Sequence, residues 1–295
     1  MSHQLVEELQ KKAVTVTQSC RVLGISRSGF YSARSRAVAA PTVCATSVKL
    51  QAAFAASGRT YGSRRLCSVL VDEGIAIGRH RVRSLMKKHQ LHPVWKRKFT
   101  STTDSRHGLP VSPNVLDRQF DVAGPNQAWV CDITYIRTRH GWLYLAAVMD
   151  LYARKIVGWA CGKDMPAQLV CAALQMAIAA RNPPPGLIVH SDRGSQYASA
   201  LHQAVLLKHQ LVGSMSRKGN CWDNAVMERF FLNLKIERVW QRDYANHDEA
   251  MADVADYIVG FYNSVRLHSK LGNLPPNAFE QQQATQQPIA VSENT

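Results

Sequence analysis

A mixed-sheet α/β fold preceded by small all-helical modules is predicted by three features of this 295-residue chain. Residues 128–240 alternate strand-like and helix-like stretches in the order β, β, β, α, β, α, and three acids sit at strand or helix positions within them. The first 100 residues carry 18 Lys and Arg against four Asp and Glu on stretches of helical period, whereas residues 101–295 carry 18 against 17. A basic arm and a near-neutral, acid-bearing body divide the holding of a polyanion from the chemistry done on it.

Taken in order, residues 14–36 read as a short helix, a turn at Gly24 and a basic second helix opening at Ser26 or Arg27. That is helix-turn-helix spacing, although an ordinary basic helical hairpin has the same pattern. Residues 37–46, rich in Ala, Pro and Thr, read as a linker. Residues 48–92 hold two amphipathic helices. Leu66, Val69 and Leu70 can pack on Val82, Leu85 and Met86, which leaves Arg79, Arg81, Arg83, Lys87 and Lys88 outward as candidate DNA contacts. The Pro- and Gly-bearing segment 99–125 reads as a connector.

WVCDITYIRT, WLYLAAVMDLYAR and KIVGWACG then read as three antiparallel strands with a turn at His140 and Gly141. Residues 166–181 have helical character with Pro166 near the start. The apolar run Leu187, Ile188, Val189 reads as a fourth strand ending at Asp192. A packing helix is expected over about residues 199–210. Asp223 or Asn224 can cap a further helix bearing Met227, Phe230, Phe231 and Leu234. Residues 247–263 suit an amphipathic helix with an acidic first turn, and the Gln-rich tail 281–295 reads as disordered.

The candidate chemistry lies in three carboxylates. Asp132 stands in an apolar strand, where an acid is costly unless paired or bound to a cation. Asp192 lies just past a strand end, the edge of an open α/β sheet that faces a crevice. Glu228 shares a helix face with Asn224 and Lys235, at spacing i, i+4, i+7. Three hard oxygen donors from two strands and a helix suit Mg²⁺ or Mn²⁺. Lys235, two turns from Glu228, is a candidate contact for a phosphate of the polyanion. Arg193, Arg217 and Lys218 are further candidate DNA contacts, the last two equally compatible with a solvated loop, while Arg266 and His268 read as structural.

The spacing and the surrounding words point to a family. Asp192 and Glu228 are separated by 35 residues, with Asp132 upstream, which resembles the DDE triad of retroviral-type integrases and transposases. DITYI, GWLYLAAVMDLYARKIVGW, HSDRGSQY, SMSRKGNCWDNA and YNSVRLHSKLG resemble, in the same order, the second-reading-frame transposases of the insertion sequence three family. The likeness covers about residues 40–280. It implies a ribonuclease H-like catalytic core, for which β, β, β, α, β, α is the element order, and a DNA-binding helix-turn-helix between residues 45 and 98. It also implies catalytic and metal-binding roles for Asp132, Asp192 and Glu228, use of two ions, and 3′-end cleavage followed by strand transfer. An upstream-frame partner or fusion and multimerisation on DNA follow from the resemblance as well; no sustained heptad marks this chain itself.

The expected divisions are therefore 1–38, a helix-turn-helix segment; 45–98, a basic helix-turn-helix domain; 99–125, a connector; 126–280, the catalytic domain; and 281–295, a tail. A non-catalytic DNA-binding regulator and a ribonuclease H-like nuclease remain as alternatives, separated from a transposase by metal-dependent cutting and by 3′-end joining. Seven scattered cysteines without a CxxC pair suit neither a disulfide framework nor a zinc site and point to a reducing, cytosolic compartment; the family resemblance implies a bacterial cytoplasm, with the nucleoid as the site of action on DNA. The most apolar stretch, 142–161, is interrupted by Asp150, Arg154 and Lys155, so no membrane span is expected. The absence of a GxxxxGK[ST] loop fits a reaction that needs no ATP.

Overall fold

The computed structural model describes residues 2–38, 44–94, 109–217 and 221–286. The chain divides into two compact units, Met1–Ala52 and Ala53–Thr295. In the first, α1 (Ser2–Lys11), α2 (Val16–Val22) and α3 (Arg27–Val38) enclose a small core of Val6, Val16, Cys20 and Phe30. Thr15 and Gln18 form a reciprocal cap on α2, and Gly24, at φ +64°, makes the turn into α3. Helix α4 (Ala45–Ala56) runs through the junction between the units.

In the second unit, α5 (Ser63–Asp72) and α6 (Arg79–Lys88) pack through Leu66, Leu70, Val82, Leu85 and Met86, all buried. Their apolar residues recur at helical period on one face. Arg79, Arg81, Arg83, Lys87 and Lys88 consequently face solvent.

A five-stranded sheet in the order β3-β2-β1-β4-β5 forms the body: β1 (Ala128–Thr138), β2 (Gly141–Asp150), β3 (Lys155–Gly162), β4 (Ile188–Ser191) and β5 (Val212–Met215). The first three are an antiparallel meander, with Gly141 at φ +111° in the β1–β2 turn. After α7 (Ala167–Arg181) crosses over, β4 lies parallel to β1 with Val130 opposite His190. After α8 (Ala200–Lys208), β5 lies parallel to β4. The alternation of side chains along β1 separates two cores. Val130 and Ile136 face α9 (Ala225–Glu237) and α10 (His247–Asp256) through Phe230, Leu234 and Val254. Trp129 and Cys131 face α7 and α8 through Leu169, Leu174 and Val205. Gly158 lets α7 press onto β3, because a Cβ there would lie 2.7 Å from the Ala177 nitrogen and 2.8 Å from its Cβ.

Four sequence expectations change. Strand β5 is an added element, since VGSM is too short and too mixed to display a period. The second strand stops at Asp150, whose carboxylate accepts the Asn126 and Tyr152 amides at 2.9 and 3.0 Å and starts a turn through Arg154 at φ +54°. Beyond α10 the helix widens over Tyr257–Tyr262, where Asn263 N–H reaches the Ile258 carbonyl five residues back. Helix α11 (Pro276–Gln286) takes in the first six residues read as a disordered tail. It is pinned at Glu280 by Arg181 (2.7 Å) and Lys155 (2.8 Å); residues 287–295 lie outside the described residues. Among the described residues no helix is long and apolar enough to cross a membrane, and every described cysteine side chain is a free thiol.

Candidate active site

The parallel β1–β4 pairing brings two of the three acids together. Asp132 shares its strand face with Val130 and therefore points toward the α9 side of the sheet. It is half-buried, and its Oδ1 accepts the Ile133 amide at 2.8 Å. Asp192 follows β4 directly, and its Oδ1 accepts the Gly194 amide at 2.9 Å. A Cβ on Gly194 would come within 3.0 Å of that oxygen, so glycine allows the turn to close on the carboxylate.

Burial, and then the negative charge of Asp192, hold the Asp132 carboxyl well above the usual carboxylate range. Its neighbour's amide opposes this, Glu228 adds to it more weakly than Asp192 does, and Lys235 offsets part of it. Glu228 is exposed on α9, although the packing around it still raises its carboxyl. Lys235, two turns on, is buried with its ammonium 4.5 Å from the centre of the Tyr135 ring. Burial lowers its pKa and the Asp132 charge opposes that fall. Asn224 donates from Nδ2 to the Cys131 carbonyl at 3.2 Å, tying the start of α9 to the residue before Asp132.

The carboxylates do not close a cage by themselves. Among the described residues no three His, Cys, Asp or Glu side chains converge closely enough to hold an ion. The donor chemistry nevertheless suits a hard divalent cation. The Asp192 and Glu228 charges raise the Asp132 pKa, the Asn224 Oδ1 is buried without a partner among the described residues, and the acids offer only hard oxygen donors.

The remaining sequence candidates separate by environment. Arg193 is half-buried and donates from Nε to the Ser216 carbonyl at 2.6 Å. Arg217 binds Asp223 through its amide (2.9 Å) and guanidinium (3.0 Å), and also pairs with Asp117 at 3.2 Å. Lys218 lies outside the described residues. Asp223, read as a possible helix cap, instead sits fully buried and gathers Arg217, Arg118 (2.7 Å) and Asn114 (3.2 Å). The Arg217 hydrogen bond above all holds its carboxyl far below the usual range. The capping position belongs to Asn224, which makes no side-chain cap hydrogen bond because its amide is turned to β1.

Two supporting residues escaped the sequence. His190, in the strand leading to Asp192, is buried between Ser214 (2.8 Å) and Ser216 (3.2 Å) of the β5 region. Its only local signal was an adjacent HSD word. Glu237, at the end of α9, accepts from Arg266 Nε and Nη2 at 2.7 and 2.8 Å and from the Tyr257 hydroxyl at 2.7 Å. Its partners are 20 and 29 residues away, beyond any local pattern. The structural reading of Arg266 agrees with this burial, and His268 stands 3.3 Å from the same guanidinium.

His190 predicts a pH dependence. Burial lowers its pKa from 6.5 to about 4, against a smaller upward pull from Asp223, and His202 is likewise lowered to about 4 by burial. Between those values the unfolded chain binds more protons, so stability is full above about pH 6.5 and is lost as pH falls toward about 4. Thermal unfolding should show a smaller difference between neutral and mildly acidic pH in His190→Gln than in the parent chain. An equal difference would remove His190 as a contributor.

The chain is similar to known proteins over most of its length. Integrase core domain models match residues 122–221 and 210–276, and an HTH-like domain model matches residues 46–99. The chain is 44% identical over 264 residues to the insertion element IS600 uncharacterized 31 kDa protein of Shigella sonnei, covering 89% of this chain and 97% of that protein. It is 42% identical over 285 residues to transposase InsF for insertion sequence IS3A of Escherichia coli K12, covering 95% and 98%. Among solved structures, the simian T-cell lymphotropic virus intasome in complex with PP2A regulatory subunit B56 gamma aligns at a TM-score of 0.47 and 15% identity, covering 75% of this chain and 70% of that one. Full-length identity above 40% to an IS3 transposase, with integrase-core and HTH-like matches at the acid-bearing body and the basic helices, makes this chain a member of the IS3 family of insertion-sequence transposases.

Proposed function

We propose that this DNA transposase cleaves the 3′ ends of its element and joins them to target DNA by in-line transesterification, with Asp132, Asp192 and Glu228 as its catalytic, metal-holding acids. The observation that carries this reading is the placing of Asp132 on β1 and of Asp192 just past the end of the neighbouring parallel strand β4, close enough for the Asp192 and Glu228 charges to raise the Asp132 pKa. Bound divalent ions, two of the Mg²⁺ or Mn²⁺ type, would supply Lewis acidity to the attacking and leaving oxygens of the phosphodiester.

The chain's own residues hold the arrangement. The amides of Ile133 and Gly194 each fix one carboxylate oxygen, which orients Asp132 and Asp192. Asn224 sets the approach of α9, and hence of Glu228, to β1. Lys235 is restrained over Tyr135 and places a positive charge beside the acids, where a phosphate would be neutralised. The exposed Arg79, Arg81, Arg83, Lys87 and Lys88 supply sequence-independent attraction for DNA, and Arg193, Arg217 and Lys218 are nearer contacts once DNA competes with their present partners. An upstream-frame protein or fusion, assembly into a multimer on DNA, and action at the nucleoid in the bacterial cytoplasm complete the proposal by family membership.

The test is cleavage and joining of a labelled terminal-repeat duplex with Mg²⁺ or Mn²⁺, comparing the parent chain with Glu228→Gln. Release and joining of a 3′ end by the parent alone is the expected result. Equal activity in Glu228→Gln would remove Glu228 from the site, and cutting without joining would mark a nuclease.

A further inference from the structure

Helix α9 has two polar flanks. Asn224, Glu228 and Lys235 occupy the one beside Asp132, whereas Val226, Arg229 and Asn233 project from nearly the opposite side of the helix. That second flank borders a cavity of about 470 Å³ that the carboxylate chemistry does not use. Arg65, Arg154, Arg229, Arg266 and Lys270 line it, with Phe230 and Tyr262 among its walls.

The charges there are not balanced. Glu237 pairs with Arg266 and, at 3.8 Å, with Arg65, and Asp121 pairs with Arg154 (3.2 Å) and Lys270 (2.8 Å). Four of the five cations thus share two carboxylates, with the Asp150 charge also felt at Arg154, and Arg229 has no ion-pair partner among the described residues. Arg154 is only 9% exposed. Its Nη2 donates to the Phe120 carbonyl (2.9 Å) and to Asp121, while its Nη1 is buried with no hydrogen-bond partner among the described residues. A buried guanidinium nitrogen left without an acceptor is costly, and an anionic oxygen entering the cavity would relieve it.

The cavity is continuous in its lining with a second, open one of about 850 Å³, since Arg65 and Ser269 border both. The second cavity contains the start of the ten-residue helix α5 at Gly62 and Ser63, with Arg64 and Arg79 beside it. Gly62 offers α5 no side-chain cap, so the amides of its first turn remain available to an anion.

We propose that these two cavities form a phosphate track for a DNA strand, running from the start of α5 to the flank of α9 turned away from the carboxylates. The inference rests on the transposase reading for the identity of its ligand. A DNA backbone suits the track because repeated phosphates can satisfy cations spread over two adjoining cavities, while its bases need no specific partner. Helix α9 would then lie between the reacting strand on one side and a positioning strand on the other.

The experiment is anisotropy titration of a labelled duplex at several salt concentrations, comparing the full parent chain with Arg229→Gln/Lys270→Gln. Both side chains are exposed, and neither belongs to the carboxylate site. Loss of two phosphate contacts should make the slope of log K against log salt shallower by about 2. The same duplex should shield Lys270 from chemical acetylation in the parent chain. A parent chain that binds and cuts DNA, with an unchanged slope in the double variant, overturns the phosphate track alone. A parent chain that binds no DNA overturns the transposase reading and this inference with it. Shielding of Lys270 by inorganic pyrophosphate at matched ionic strength, as complete as that by the duplex, would assign the cavity to a free anion and overturn the DNA track.

Discussion

Asp132→Asn is expected to slow strand cleavage by about 10³-fold while raising the thermal stability of the metal-free protein. The substitution keeps the side-chain volume but removes a charge that burial and Asp192 both disfavour. The folded state opposes the Asp132 charge and the unfolded chain does not, and that opposition grows as pH rises from the ordinary carboxylate range to the raised folded pKa and is constant above it. The parent chain therefore holds strained acidity at the site, which the variant relieves. Loss of about 4 kcal/mol of transition-state charge stabilisation corresponds to about 10³-fold in cleavage rate. Nonspecific DNA binding should persist because the basic helices are untouched. Mg²⁺ at about 100 times its dissociation constant should stabilise the parent by about 2.7 kcal/mol and leave the variant nearly unmoved. Calorimetry with and without Mg²⁺, beside the labelled-end assay, measures both effects. Parent-like cleavage, or an equal Mg²⁺ shift in both proteins, would remove Asp132 from the metal site.

The second large effect is on folding. Arg266 is 2% exposed and the Glu237 side chain 5%, so their bidentate pair is almost wholly removed from water. Burial disfavours the Arg266 charge, but the hydrogen bonds and charge of Glu237 more than offset that and leave the guanidinium above its ordinary value. Glu237→Leu strands Arg266 without a counter-charge and also deprives the Tyr257 hydroxyl of its acceptor. The expected loss is about 3–5 kcal/mol, or about 6–20 °C in melting temperature. Adding Arg266→Met should restore much of it, because two apolar side chains can fill the site without leaving an orphan charge. A single variant that melts with the parent chain, or a double variant no better than the single, would show that the pair contributes little.

What the sequence disclosed follows the range of the interactions concerned. The meander, α7 and α9 were legible because each is long enough to show a period, and because Gly141, Pro166 and the GN pair before α9 punctuate them. Asp192 could be placed at a strand end because three apolar residues precede it by local pattern alone. Strand β5 escaped because four residues of mixed polarity carry no period, and its formation depends on the neighbouring β4. Asp223 looked like a cap, since a carboxylate before a helix usually is one. Its actual partners Asn114 and Arg118 lie more than a hundred residues upstream. Arg217 looked available for phosphate because Asp223 was read as a cap and Asp117 is a hundred residues upstream, whereas both acids share its guanidinium. The triad came from spacing and family words. The half-burial of Asp132, the exposure of Glu228 and the restraint of Lys235 over Tyr135 came only from the fold.

The parallel pairing of β1 with β4 carries a consequence for synthesis of the protein. Asp132 meets Asp192 only after the whole of β2, β3 and α7 has been made and packed, and Glu228 is supplied later still. Strand pairings of such wide separation form slowly, and domains fold as their final elements emerge during translation. A ribosome-bound chain that ends before α9 therefore has two mutually repelling carboxylates and lacks the helix that covers them. Interrupted translation products should thus be unable to cut DNA strands even where their basic helices hold DNA, which confines cutting to chains that have been read through α9.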